Sequence, residues 1–106
     1  MRKGKVFFKE NFAGTIIEDE NGFFFSYDED YLVSEQARPV SLTMPLRPEP
    51  YQSPTMLPFF DGLIPEGWLL NIAEKNWKID YRDRMGLLLA FCKDCIGAIS
   101  IEPEEE

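Results

Sequence analysis

The run Leu57-Pro58-Phe59-Phe60-Asp61-Gly62-Leu63-Ile64-Pro65-Glu66-Gly67-Trp68-Leu69-Leu70 sets bulky apolar side chains around two prolines, two glycines and only two charges. That much apolar surface cannot stand free in water as a loop. The segment has to be buried in its own domain, docked on another protein, or both. A chain of 106 residues is long enough for one domain with a modest core, so residues 1–106 read as a single unit. Nine Phe, four Tyr and two Trp are many for that length. A small domain with surplus aromatic surface often uses some of it on a partner.

Charge narrows the functional classes. Nineteen acids against eleven bases give a formal net charge of −8. Phosphate contacts need clustered Lys and Arg, so direct nucleic-acid binding is not expected. The basic knot Arg2-Lys3-Gly4-Lys5 reads as a solvated terminal cluster. An acidic surface instead steers towards a basic partner. Met1-Arg2-Lys3 is not followed by the apolar stretch of a signal peptide. No run approaches the roughly 20 apolar residues of a membrane span. A cytoplasmic location without membrane contact is expected, and two cysteines do not make a disulfide scaffold.

Periodicity divides the chain in two. Lys5 to Phe8 and Phe12 to Glu18 read as strands joined at Lys9-Glu10-Asn11. Asn21-Gly22 signals a second hairpin, and Phe23 to Tyr27 forms a third strand with aromatics on both faces. Asp28 to Leu32 suits one helical turn or a loop. Val40-Ser41-Leu42-Thr43-Met44 alternates with period two and predicts a fourth strand. Pro45, Pro48, Pro50 and Pro54 predict an extended connection over 45–55 without regular structure. Pro65, with Glu66 behind it, suits the first turn of a helix reaching Asn76 or Trp77. Asp80 and Asp83 predict the start of another helix, running through Met85 to Phe91 and buried on most sides. Ala98 to Ile101 reads as a closing strand, and residues 102–106 as a frayed acidic tail. The fold class is α+β: a small antiparallel sheet with two or three helices packed on one side.

Three blocks of this sequence resemble the N-terminal domain of the HipA family of bacterial serine kinases. The first is the meander ending in Gly22-Phe23-Phe24-Phe25-Ser26-Tyr27, with Val40-Ser41-Leu42-Thr43-Met44-Pro45-Leu46 after a gap. The second, Pro58 to Gly67, is similar to the family signature pfF-x-nLLPEG and is the most specific. The third, Asp94-Cys95-Ile96-Gly97-Ala98-Ile99-Ser100-Ile101, is similar to the D-x-x-GA strand that closes the family's N-terminal region. In the family's full-length kinases a kinase body of several hundred residues follows; here an acidic tail does, and Phe91-Cys92 stands where the family often has Gly. A free-standing copy resembles HipS, the small subunit of three-part HipBST toxin–antitoxin systems. The resemblance implies an antitoxin or regulatory subunit that binds and inhibits a truncated HipA-type (HipT-like) kinase, with a HipB-like helix-turn-helix protein as a further candidate member of the same complex. It also implies aminoacyl-tRNA synthetases as substrates of that kinase, not of this chain. The alternative is a non-inhibitory accessory subunit that completes the kinase and assembles it with the DNA-binding partner. An unrelated enzyme or ligand-binding protein is a third class, which a pocket with titratable residues would favour.

The residues themselves argue against catalysis. There is no His, hence no ready general base near neutral pH, and no Gly-x-x-x-x-Gly-Lys phosphate loop. No cofactor is expected. Cys92-Lys93-Asp94-Cys95 has redox-type spacing but falls at a predicted helix end, where the dipole opposes a thiolate. A structural zinc would need two further ligands, and no other Cys or His exists. Two reduced, mostly buried cysteines are expected. Asp61 and Glu66 flank the Gly-Leu-Ile-Pro turn as loop and helix-start acids, with cation binding or acid–base work as the sharper alternative. At about 100° per residue, Leu69, Leu70, Ile72, Ala73 and Trp77 share one helix face. Trp68 points roughly 130° from its centre, so it is either covered by the Pro-rich loop or free for a partner. The expected partner-binding set is Phe59, Phe60, Asp61, Leu63, Ile64, Pro65, Glu66 and Trp68; catalytic and metal sites are expected to be absent.

Overall fold

A computed structural model describes residues 1–64, 82–91 and 98–104. Five strands form one antiparallel sheet: β1 (Arg2–Phe8), β2 (Asn11–Asp19), β3 (Gly22–Tyr27), β4 (Tyr51–Ser53) and β5 (Ile99–Glu104), in the order β4-β3-β2-β1-β5. Among the described residues there are three helices: α1 (Glu29–Leu32), α2 (Pro58–Asp61) and α3 (Arg84–Phe91). The predicted class is the one observed, a small antiparallel sheet with helices.

The meander follows from local chemistry. Lys9 takes a positive φ of 56° in the β1–β2 turn. The β2–β3 turn falls on Glu20-Asn21, one residue before the predicted dipeptide, because the Asp19 carboxylate accepts the Asn21 N–H at 2.7 Å. Gly22 supplies the left-handed conformation, with φ 125°. A Cβ there would run into the Ser53 carbonyl, so this glycine also lets β4 come close. Register shifts between Val6 and Phe7, whose partners are Gly14 and Phe12. The extra residue, Ala13, is buried, and its carbonyl accepts the Asp28 N–H at 2.8 Å. This bulge hands the chain from β3 to α1, whose N-cap Asp28 accepts the Tyr31 N–H.

Alternation puts Val6, Ile16, Phe25, Tyr27, Ile99 and Ile101 into the core, where Phe60, Ile64, Met85, Leu87 and Leu88 join them. Helix α3 is open on one side, since Ala90 is exposed and Leu89 half-buried, so it is less enclosed than its composition predicts.

Three expectations are corrected. Val40–Met44 is not a strand but a turn: Met44 N–H donates to Ser41 O at 3.1 Å, and Ser41 Oγ accepts from Thr43 N–H. The short hydroxyl side chains satisfy the backbone locally, which competes with pairing into a sheet. The connection over 45–55 does contain a strand, β4, because Tyr51–Ser53 carries no proline and pairs with Phe25–Phe23 at the sheet edge. The tail is ordered through Glu104, for β5 lays Glu102 and Glu104 opposite Lys5 and Lys3 of β1. Opposite charges facing one another across an antiparallel pair favour the pairing.

The N-terminal basic knot is likewise part of the sheet. Arg2 holds Asp83 through two hydrogen bonds of 2.6 and 3.0 Å and Glu18 through one of 2.7 Å. Asp83, one of the two acids that mark the predicted helix start, caps α3 by accepting the Gly86 N–H at 3.2 Å. A side chain at position 86 would collide with that carboxylate, so glycine keeps the cap and the ion pair compatible. The predicted helix from Pro65, Asp80 and the Cys92–Cys95 pair lie outside the described residues.

Candidate protein-docking surface

The segment that dominates the sequence divides between core and surface. Pro58 opens α2 at its first turn and is exposed. Phe60 points inward, has no exposed surface, and packs edge-on against Phe59 and at 5.2 Å from the Phe25 ring. Ile64 is buried as well. These two are therefore corrected: their side chains complete the domain's own core and present nothing to a partner. Phe59 and Leu63 are half-buried. Asp61 binds Arg84 at 2.6 Å, which ties α2 to α3 rather than holding loop amides. Pro65, Glu66 and Trp68 lie outside the described residues. Phe59, Pro58 and Leu57 line an apolar depression of about 270 Å³ with Thr43, Met44 and Tyr51.

On the other side of the 41–44 turn lies a feature that the expected set missed. Two tyrosines fix the chain from Arg38 to Met44. The Tyr27 hydroxyl accepts the Val40 N–H at 3.0 Å and donates to the Met44 carbonyl. The Tyr31 hydroxyl donates to Arg38 O at 2.8 Å and accepts the Arg38 N–H at 2.9 Å. Their rings lie nearly parallel, 6.3 Å apart. Burial pushes the Tyr27 phenol above its ordinary pKa, so it stays a neutral donor. At the tip of this pinned turn Leu42 is entirely in solvent, with a relative exposure of 101%. Beside it runs an open groove of about 620 Å³.

The alternation of Val40, Leu42 and Met44 was the available signal. It suggests a strand, whereas the hydrogen bonds that set the turn involve tyrosines remote in sequence. Among the described residues no group of three His, Cys, Asp or Glu could hold a metal ion. No described helix is long and apolar enough to cross a membrane.

The geometry defines a small α+β domain with an apolar depression beside an exposed leucine. Residues 4–102 match the HipA N-terminal domain, and the chain belongs to that family. It is 39% identical over 106 residues to an uncharacterised protein of Haemophilus influenzae, covering all of this chain and 96% of that one. It is 28% identical over 102 residues to "Putative kinase Y4mE" of Sinorhizobium fredii, covering 95% of this chain but only 24% of that one. The solved N-terminal domain of HipA toxin superposes with a TM-score of 0.77 at 37% identity, covering 100% of this chain and 95% of that one.

Proposed function

We propose that this domain binds the body of a HipA-type serine kinase that lacks its own N-terminal region and restrains it, in the manner of a HipS-like antitoxin. One observation carries the reading. The same domain makes up about a quarter of one kinase-named relative and nearly all of the Haemophilus influenzae relative. A domain shaped as part of a larger body has a face complementary to the rest of it. Pro58, Phe59, Leu63 and Leu42 supply apolar surface of that kind. Docking there would hold the kinase in an inactive arrangement or block its cleft, and a ligand shifts such an equilibrium only by its preference for one state. The net charge of −8 speaks against a direct DNA contact, which belongs in this reading to a helix-turn-helix partner. No base–nucleophile pair among the described residues supports a reaction of the chain's own. The site of action is the cytoplasm, where the kinase's substrates are.

The test is titration of the purified chain into the HipA-type kinase of the same organism, with autophosphorylation followed. A saturable one-to-one complex with falling activity is expected. In cells, growth rescue by this chain alone supports inhibition, whereas rescue only by the helix-turn-helix partner makes it a scaffold. Trp68→Ala is expected to weaken the complex by at least ~2 kcal/mol, the hot-spot threshold, with little change in melting temperature. Unchanged affinity removes Trp68 from the interface.

A further inference from the structure

The 38–44 turn combines a pinned backbone with an uncovered apolar tip. Its backbone is held by four hydrogen bonds to the hydroxyls of Tyr27 and Tyr31, two accepted and two donated by them, so the turn is rigid. Its tip is a leucine with no cover at all. Isolated exposed leucines are unremarkable by themselves; this one stands on a pinned backbone. Here the ordering entropy of the loop is already spent in the free chain, which is what a preorganised contact requires. The flanking surfaces point the same way. On one side Thr43 and Met44 wall the depression that also contains Phe59. On the other, Leu42 edges the groove whose floor and walls include Phe8, Pro39 and Val40. One surface therefore runs from α2 across the turn to the β1–β2 hairpin.

Charge marks the far end. Lys9 and Arg38 line the groove, and among the described residues no acidic one does, in a protein of net charge −8. Glu10 and Glu35 lie close in sequence but outside the lining. The occupant that fits is apolar at its centre and carries carboxylates at its edge, opposite these two cations.

We propose that Leu42 is the anchor of a second docking patch, continuous with Phe59, that seats in an apolar socket of the kinase body edged by acidic side chains facing Lys9 and Arg38. This rests on the kinase reading above. It extends the interface from the expected 59–68 segment to a turn some 20 residues earlier in the chain.

The experiment is calorimetric titration of the purified kinase with the full chain and its variants. Leu42→Asp is expected to weaken binding at least ~30-fold, the level of interface hot spots, at an unchanged melting temperature, because Leu42 contributes no buried surface to the fold. Leu42→Ser, which leaves the turn's hydroxyl bonding undisturbed, is expected to lose at least ~10-fold on the same grounds. Lys9→Glu combined with Arg38→Glu is expected to weaken binding about 10-fold and to alter its salt dependence. Tight wild-type binding that both Leu42 variants leave within twofold overturns the patch and spares the kinase reading. Absence of wild-type binding overturns both. Concentration-dependent self-association of the chain alone, abolished by Leu42→Asp while kinase binding is unaffected, assigns the patch to a second copy and overturns the proposal.

Discussion

The two ends of the sheet are fastened in opposite ways. At one, Arg2 clasps Asp83 and Glu18 and so joins β1 and β2 to the start of α3. The groups are charged, and Arg2 and Asp83 keep about two-fifths of their side-chain surface in water. At the other, Tyr27 and Tyr31 fasten the 38–44 turn to β3 and α1 with neutral hydroxyls, Tyr27 being buried throughout. An exposed ionic clasp contributes little, because its charges were well solvated before they paired. A buried hydrogen bond contributes modestly while it is made, but breaking it strands a desolvated partner. The clasp tolerates loss, and the clamp does not. The clamp carries the surface with the exposed leucine, so rigidity is concentrated beneath the surface proposed to meet the partner.

The core between them sets the scale. Phe60→Ala is expected to cost about 3–5 kcal/mol, read from denaturant midpoints, because a buried ring is removed without replacement. A loss near zero would mean that α2 does not seal the core. Tyr27→Phe is expected to cost about 2 kcal/mol, since it leaves the Val40 N–H and Met44 carbonyl unpaired in a buried site. Arg2→Ala is expected to cost under about 1 kcal/mol, and less in high salt. If the order of these last two is reversed, the comparison fails.

The pH dependence separates the same two devices. Hydrogen bonding to Arg2 holds the Asp83 carboxyl below its usual range. A depressed carboxyl stabilises the fold above the unfolded value, near 3.9, and that contribution fades as pH falls through the folded value. Burial raises the Tyr27 phenol. That stabilisation is full below the unfolded value, near 10, and is lost as pH rises through the folded one. Arg2→Ala should therefore flatten the acid limb of a stability–pH profile and leave the alkaline limb alone, and Tyr27→Phe the reverse. Equal effects of both variants on one limb would contradict these assignments.

The sequence was readable where structure is set by near neighbours. The three-stranded meander, the cap at Asp83 and the helix to Phe91 depend on alternation, turn residues and one carboxylate. The signature run marks 58–67 as surface to be buried or docked, but it reveals neither the short helix α2 nor how the run divides, since neither Phe59 nor Phe60 says which of them faces Phe25. Val40–Met44 was misread because its alternation is real while its backbone partners are hydroxyls 13 to 17 residues away. The role of Arg2 was hidden for the same reason, as Asp83 lies 81 residues further on. The exposure of Leu42 follows from the tyrosine clamp, so no pattern local to that residue reveals it.

The central claim is that this domain docks on a HipA-type kinase body. Its most direct test is light scattering on a mixture of the purified chain and that kinase during size exclusion. One co-eluting peak with the summed mass of one copy of each is expected. Two separate peaks at every ratio, each with the mass of its free protein, would contradict it.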